Sequence, residues 1–122
     1  MIQIEKETGI YKAAVKHFGG AKQVLKAIEE LSELARALVQ DEMGVPKANI
    51  HVEEEIADVE IMLNQLRLLY DPREIDDWKD SKLERLAGMV GVEIGEEGEA
   101  TSFDLAALGH LPIKGKAEED DA

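Results

Sequence analysis

The chain has 122 residues, no cysteine, and 27 acidic against 14 basic side chains, for a formal net charge of −13. The lack of cysteine excludes disulfides, thiolate metal sites and a cysteine nucleophile. The acidic excess argues against direct binding to nucleic acid, whose phosphates need a basic surface, and no apolar run approaches the ~20 residues of a membrane span.

A chain of this length makes one small domain with a modest core, so a homo-oligomer is expected. With only two Phe, two Tyr and one Trp, aliphatic residues and alanine must build that core, which suits packed helices. The first residues lack the charged-then-apolar plan of a signal peptide, and a cytoplasmic protein is expected.

Ile10, Ala14 and Phe18 recur at helical spacing and predict a short amphipathic helix over about 9–18, ended by Gly19-Gly20. A long helix follows over 21–43, with Val24, Ile28, Leu31, Ala35 and Leu38 as its predicted core stripe. Gly44 and Pro46 break it, and Asn49 is the expected N-cap of a third helix over about 50–70. The predicted core stripe there is Val52, Ile56, Val59, Leu63, Leu66 and Tyr70. Asp71-Pro72-Arg73-Glu74 combines a cap, a first-turn proline and a capping-box glutamate, so a fourth helix restarts there and runs to about 89. Its inward residues are predicted as Ile75, Trp78, Leu83, Leu86 and Met89.

Beyond residue 90 glycines interrupt every pattern, and residues 91–122 hold nine of the acids and only two of the bases. The reading is an all-α four-helix domain over 1–90 and an irregular, mobile acidic tail over 91–122. In that tail Leu105-Ala106-Ala107-Leu108 is expected to form one helical turn or to dock on the bundle, and Glu118-Glu119-Asp120-Asp121 a solubilising end.

Two acidic clusters carry the chemistry. Glu29-Glu30-Leu31-Ser32-Glu33 lies on the second predicted helix and Glu55-Ile56-Ala57-Asp58 on the third. In each, two carboxylates stand three residues apart and so project from one helix face. Antiparallel packing of the two helices would gather four carboxylates. At ~5 Å and an effective dielectric of ~20, each pair would repel by roughly 3 kcal/mol, which calls for a cation between them. An all-oxygen ligand set favours Mg²⁺, with Mn²⁺ as the alternative.

Gln23, Lys26, Glu30, Glu33 and Ala37 share one stripe beside the core stripe of the second helix. His51, Glu55, Asp58, Met62 and Gln65 do the same on the third. Facing each other, they would form a groove with metal ligands at its centre and small Ala27 and Ala37 on its floor. The amides of Gln23 and Gln65 are suited to a nucleobase edge. Lys22, Lys26, Arg67 and Lys79 are candidate phosphate contacts. Glu53, Glu54 and His51 read as surface residues, and Phe18 and Trp78 as core packing.

The pattern Glu29, Glu30, Glu33 … Glu55, Asp58 resembles the E-E-x-x-E…E-x-x-D motif of the MazG-like, all-α nucleoside triphosphate pyrophosphohydrolases. The stretches His17-Phe18-Gly19 … Gln23 … Ala27–Leu34, Glu54–Met62 and Lys82–Leu86 are similar to the short phage and bacterial members, so the resemblance spans about residues 10–88. It implies a helical bundle assembled as a homodimer or homotetramer. It also implies Mg²⁺-dependent hydrolysis of an NTP or dNTP between the α and β phosphates, giving NMP and pyrophosphate. Carried over to this chain, Glu30, Glu33, Glu55 and Asp58 are the metal ligands, and Glu29 is a second-metal ligand or the base for water. Gln23, Lys26 and Gln65 are the substrate-binding candidates. The other reading of so acidic a helical chain is a non-catalytic partner-binding module, for instance a nucleic-acid mimic.

Overall fold

The computed structural model describes residues 1–99 and 109–115. Among them the chain is all-α: helices α1 (Ile4–Phe18), α2 (Gly20–Glu42), α3 (Ala48–Leu69) and α4 (Pro72–Val90), with no strand. It forms two compact units, Met1–Pro72 and Arg73–Ala122. The division falls at the start of α4.

In the first unit α2 and α3 form the principal packed pair, and α1 packs on both. α1 starts five residues earlier than its apolar spacing predicts, because Ile4 to Thr8 continue the helix with Glu5 and Glu7 in the first turn, where carboxylates complement the helix dipole. Gly19 separates α1 from α2 with φ 90° and ψ 148°, a backbone conformation that a side chain disfavours.

α2 ends in a Schellman motif. Val45 donates to the carbonyl of Gln40 at 3.0 Å, Gly44 donates to that of Asp41 at 3.0 Å, and Gly44 takes φ 80°. The expected cap of α3 is corrected. The helix begins at Ala48, its N-cap is Lys47 in the left-handed region at φ 63°, and Asn49 lies inside the first turn. α4 begins at Pro72, as the sequence predicts.

The larger correction concerns which stripe is buried. On α2 the buried residues are Gln23, Ala27, Glu30 and Ala37, while Ile28, Leu31 and Leu38 of the predicted core stripe are exposed and Val24 is half-buried. On α3 they are Ala48, Val59, Met62 and Gln65; of the predicted stripe Val59 is buried as expected, Val52 and Leu66 are half-buried, and Ile56, Leu63 and Tyr70 are exposed. The physical reason is size. Ala27, Ala37 and Ala48 let the two helix backbones approach along the stripe that carries the polar residues, and the larger aliphatics point away.

In the second unit, α4 presents an apolar groove lined by Ile75, Trp78, Lys79, Lys82, Leu83 and Leu86, with the Lys82 ammonium 6.0 Å from the Trp78 ring centre. Its end is closed by a hydrogen bond from Val92 to the Ala87 carbonyl at 2.8 Å. The expected turn at 105–108 and acidic end at 118–121 lie outside the described residues. Among the described residues, no helix is long and apolar enough to cross a membrane.

Candidate metal centre

The site lies between α2 and α3, which run antiparallel. Residues early in α2 meet residues late in α3: Gln23 Nε2 donates to Gln65 Oε1 at 2.6 Å. One to two turns further along α2, Glu30 meets Glu55 and Asp58. One ligand oxygen from each of these three residues lies within 4.8 Å of the others. Further still, Glu33, Arg36, Ala37 and Gln40 of α2 line a cavity of about 280 Å³ with His51 and Glu55 of α3. The two polar stripes are thus brought face to face, in the antiparallel order that their spacing predicts.

Glu30 is the most enclosed of the carboxylates, at 6% exposure. One of its oxygens is held by the Lys26 ammonium at 3.0 Å, an (i, i+4) pair on the same helix. The other, Oε2, is buried and has no hydrogen-bond partner, and Glu55 Oε2 is in the same condition. A buried carboxylate oxygen without a donor is costly, so each of these atoms marks a position where a cation would be favourable.

The electrostatics agree. Lys26 beside Glu30 holds its carboxyl below the usual range. Glu55 is pushed up to about 7, first by desolvation, then by a carboxyl–carboxylate hydrogen bond with Glu30, and then by the charges of Glu33, Glu30 and Asp58. Asp58 is also raised, by desolvation and then by Glu30 and Glu54. The folded chain thus gathers carboxylates that resist carrying their full charge together.

Of the four expected metal ligands, the fold brings three together. Glu33 is exposed and stands one turn beyond Glu30, on the wall of the cavity that Glu55 also lines. It acts on the cluster by its charge, as one of the groups that raise Glu55. Glu29 is exposed, lies outside the three-carboxylate cluster at the edge of a second, larger cavity, and makes an ion pair with Lys26 at 3.6 Å. His51, read from the sequence as a surface residue, is exposed but lines the smaller cavity beside Glu55.

On the opposite side of the cluster lies a larger cavity of about 570 Å³, with Gln23, Lys26 and Gln65 in its walls. Leu25, Ile61 and Met62 line it with apolar surface, and Ile10, Tyr11, Ala14 and Phe18 of α1 form another wall. The Phe18 side chain faces this cavity rather than a core. Its ring also meets the His17 ring edge to face, with centroids 4.7 Å apart. Sequence reasoning missed Arg36 and Gln40 on the far wall. Arg36 follows Glu33 by three residues and so shares its face, which was the available signal.

No family model, no curated protein and no solved structure matches this chain. The likeness to the MazG-like enzymes therefore stands on the motif residues alone.

Proposed function

We propose that the protein is a Mg²⁺-dependent nucleoside triphosphate pyrophosphohydrolase that cleaves between the α and β phosphates. The observation that carries the reading is the Glu30–Glu55–Asp58 cluster, with its two buried carboxylate oxygens that lack any donor. The donor set fits a hard divalent cation, since every ligand atom is a carboxylate oxygen and the net charge of the cluster is strongly negative. Glu30, Glu55 and Asp58 would hold the ion, and Glu33 is close enough to add its charge.

A bound Mg²⁺ supplies charge neutralisation for the triphosphate and lowers the pKa of a water molecule. The side chains of the chain itself provide the rest. Lys26 lies between the carboxylate cluster and the larger cavity, where it can meet a phosphate oxygen once Glu30 turns to a metal. The apolar walls of that cavity offer a surface for the nucleoside end. In the reaction a water oxygen bonds to the α-phosphorus, the bond to the α–β bridging oxygen breaks, and the water proton passes to a carboxylate. Glu29, at the exposed edge beside Lys26, is the candidate acceptor. No covalent nucleophile is needed, so catalysis rests on positioning and charge.

Self-association as a homodimer or homotetramer and a cytoplasmic location belong to the same proposal. Product analysis tests it. The protein is incubated with Mg²⁺ and a panel of NTPs and dNTPs, beside Glu30→Gln. NMP and pyrophosphate from the unmodified chain alone support the reading, and NDP with phosphate overturns it. Absence of turnover with both Mg²⁺ and Mn²⁺ shifts the reading to an acidic binding module, which the net charge of −13 favours.

A further inference from the structure

The buried amide pair at the floor of the larger cavity is more than packing. Gln23 and Gln65 are 7% and 4% exposed and both line the cavity. Gln65 Nε2 faces two groups that only accept: the backbone carbonyl of Ile61 at 3.5 Å and the sulfur of Met62 at 3.6 Å. Its amide nitrogen must therefore point at α3 and its oxygen at Gln23. Gln23 in turn must present its nitrogen to that oxygen, and does so at 2.6 Å. The order carbonyl, Gln65, Gln23 is a relay with one direction. It leaves Gln23 with Oε1 and one N–H for an occupant, in a fixed order.

A fixed amide reads hydrogen-bond polarity, which a freely flipping amide cannot. The cavity asks for an occupant with a flat apolar body against Phe18 and Met62, a polar edge at Gln23, and negative charge toward Lys26 and the cation that the carboxylate cluster would hold. A nucleotide has all three. Adenine and cytosine offer an amino donor beside a ring nitrogen acceptor, whereas hypoxanthine and uracil offer a carbonyl acceptor beside a ring N–H. The two classes present opposite polarity on an otherwise similar edge.

We infer that Gln65 is a positioning residue that fixes the direction of the Gln23 amide, so that the cavity separates amino bases from their oxo counterparts. This rests on the nucleotide reading proposed above. Gln23 makes the contact, and Gln65 acts only through it.

The experiment compares ATP with ITP and CTP with UTP, pairs that differ at that one edge. Expected for the unmodified chain is a preference of about tenfold in kcat/KM for the same polarity in both pairs, the size of one hydrogen bond made or lost. Gln65→Leu and the longer, unbranched Gln65→Met should shrink that preference to less than about threefold, since either frees the Gln23 amide to turn. Equal use of both members of each pair by the unmodified chain overturns the inference and leaves the hydrolase reading standing. So does a variant that slows all four substrates alike at an unchanged ratio, which is the mark of a merely structural pair.

A second readout depends on neither turnover nor a folded variant. Side-chain amide NMR of the unmodified protein is followed with adenosine, inosine, cytidine and uridine, without metal or phosphate. A shift of the Gln23 amide by one polarity class supports the relay even if no triphosphate is hydrolysed, in which case only the hydrolase reading falls. No shift by any of the four nucleosides overturns the relay.

Discussion

Glu55 is the side chain through which the site acts on the stability of the fold. Its folded pKa of about 7 lies above the ordinary value of 4.5. Between those two values the folded chain holds a proton that the unfolded chain has released, so stability falls as pH rises through that window. Asp58, also raised, contributes in the same direction from a lower starting pH. Glu30 is lowered, so its contribution has the opposite sign and is lost only as pH falls below its ordinary value of 4.5. In EDTA, the melting temperature should therefore decline by several degrees from pH 5 to pH 7.5. Glu55→Gln should flatten that decline, and a melting curve unaffected by pH would show that the cluster is not under electrostatic stress. Millimolar Mg²⁺ favours the deprotonated carboxylates and should raise the melting temperature most at the upper end of the range. Asp58→Asn should remove most of that gain while leaving the metal-free protein as stable as before, or more so, because it deletes one of the crowded charges. Loss of metal response together with loss of metal-free stability would mean that Asp58 serves the fold instead. The type and spacing of these carboxylates were legible in the sequence. The (i, i+4) spacing of Lys26 and Glu30, which lets the ammonium pin one carboxylate oxygen, was legible too. What was hidden is that Glu33 stays outside the cluster, because that depends on how the α2 stripe is rotated against α3, which spacing alone leaves free by a fraction of a turn.

At the scale of the helix, small residues decide the geometry of the site. Ala27 is buried at the α2–α3 seam, between the amide pair and the carboxylate cluster. Ala27→Leu must push the helices apart or force strained rotamers, at a cost of about 1–3 kcal/mol. It should also widen the gap between Glu30 and Asp58, so urea melting should show a destabilised chain whose response to Mg²⁺ is reduced. Full metal response in a destabilised Ala27→Leu protein would separate the seam from the site. Gly44 closes α2 at φ 80°, where any residue with a Cβ is strained. Gly44→Ala should cost about 1–2 kcal/mol with the metal response kept, because the motif lies at the far end of α2 from the amide pair. All four helices and the three breaks between them could be read from the sequence, because glycine and proline punctuate it strongly. The buried stripe could not. α2 carries two stripes able to pack, one of large aliphatics and one of alanines interleaved with polar residues. Hydrophobicity ranks the first above the second, while close helix approach favours the second. The first turn of α1 was missed for a related reason: Glu5 to Thr8 lack apolar periodicity, and the dipole together with local bonds, Tyr11 to the Glu7 carboxylate and Thr8 to the Ile4 carbonyl, support the turn instead.

The aliphatic stripe left outside bears on the whole molecule. Ile28, Leu31 and Leu38 on α2 and Ile56 and Leu63 on α3 are each between 42% and 55% exposed, and they follow the helical spacing that a packed interface requires. Scattered exposed aliphatics need no explanation, but a row on two neighbouring helices is the pattern of a surface that another chain covers. A second copy supplies the same row, and a two-fold axis pairs like with like without the steering charge a different partner would need. If a second copy covers the row, the apolar spacing remains a packing signal whose partner lies in another chain. The consequence is measurable. Sedimentation at tens of micromolar should give a mass that is a multiple of the 13.5 kDa chain, with a melting temperature that rises with protein concentration. Leu31→Glu combined with Leu63→Glu should yield the single-chain mass, since a buried carboxylate without a partner opposes assembly strongly. Glu30, Glu55 and Asp58 all lie within one chain, so that variant should still gain stability from Mg²⁺, though from a lower melting temperature. A single-chain mass for the unmodified protein at the highest concentration reached would refute self-association. A dissociated variant that has lost its metal response would place part of the site across the interface.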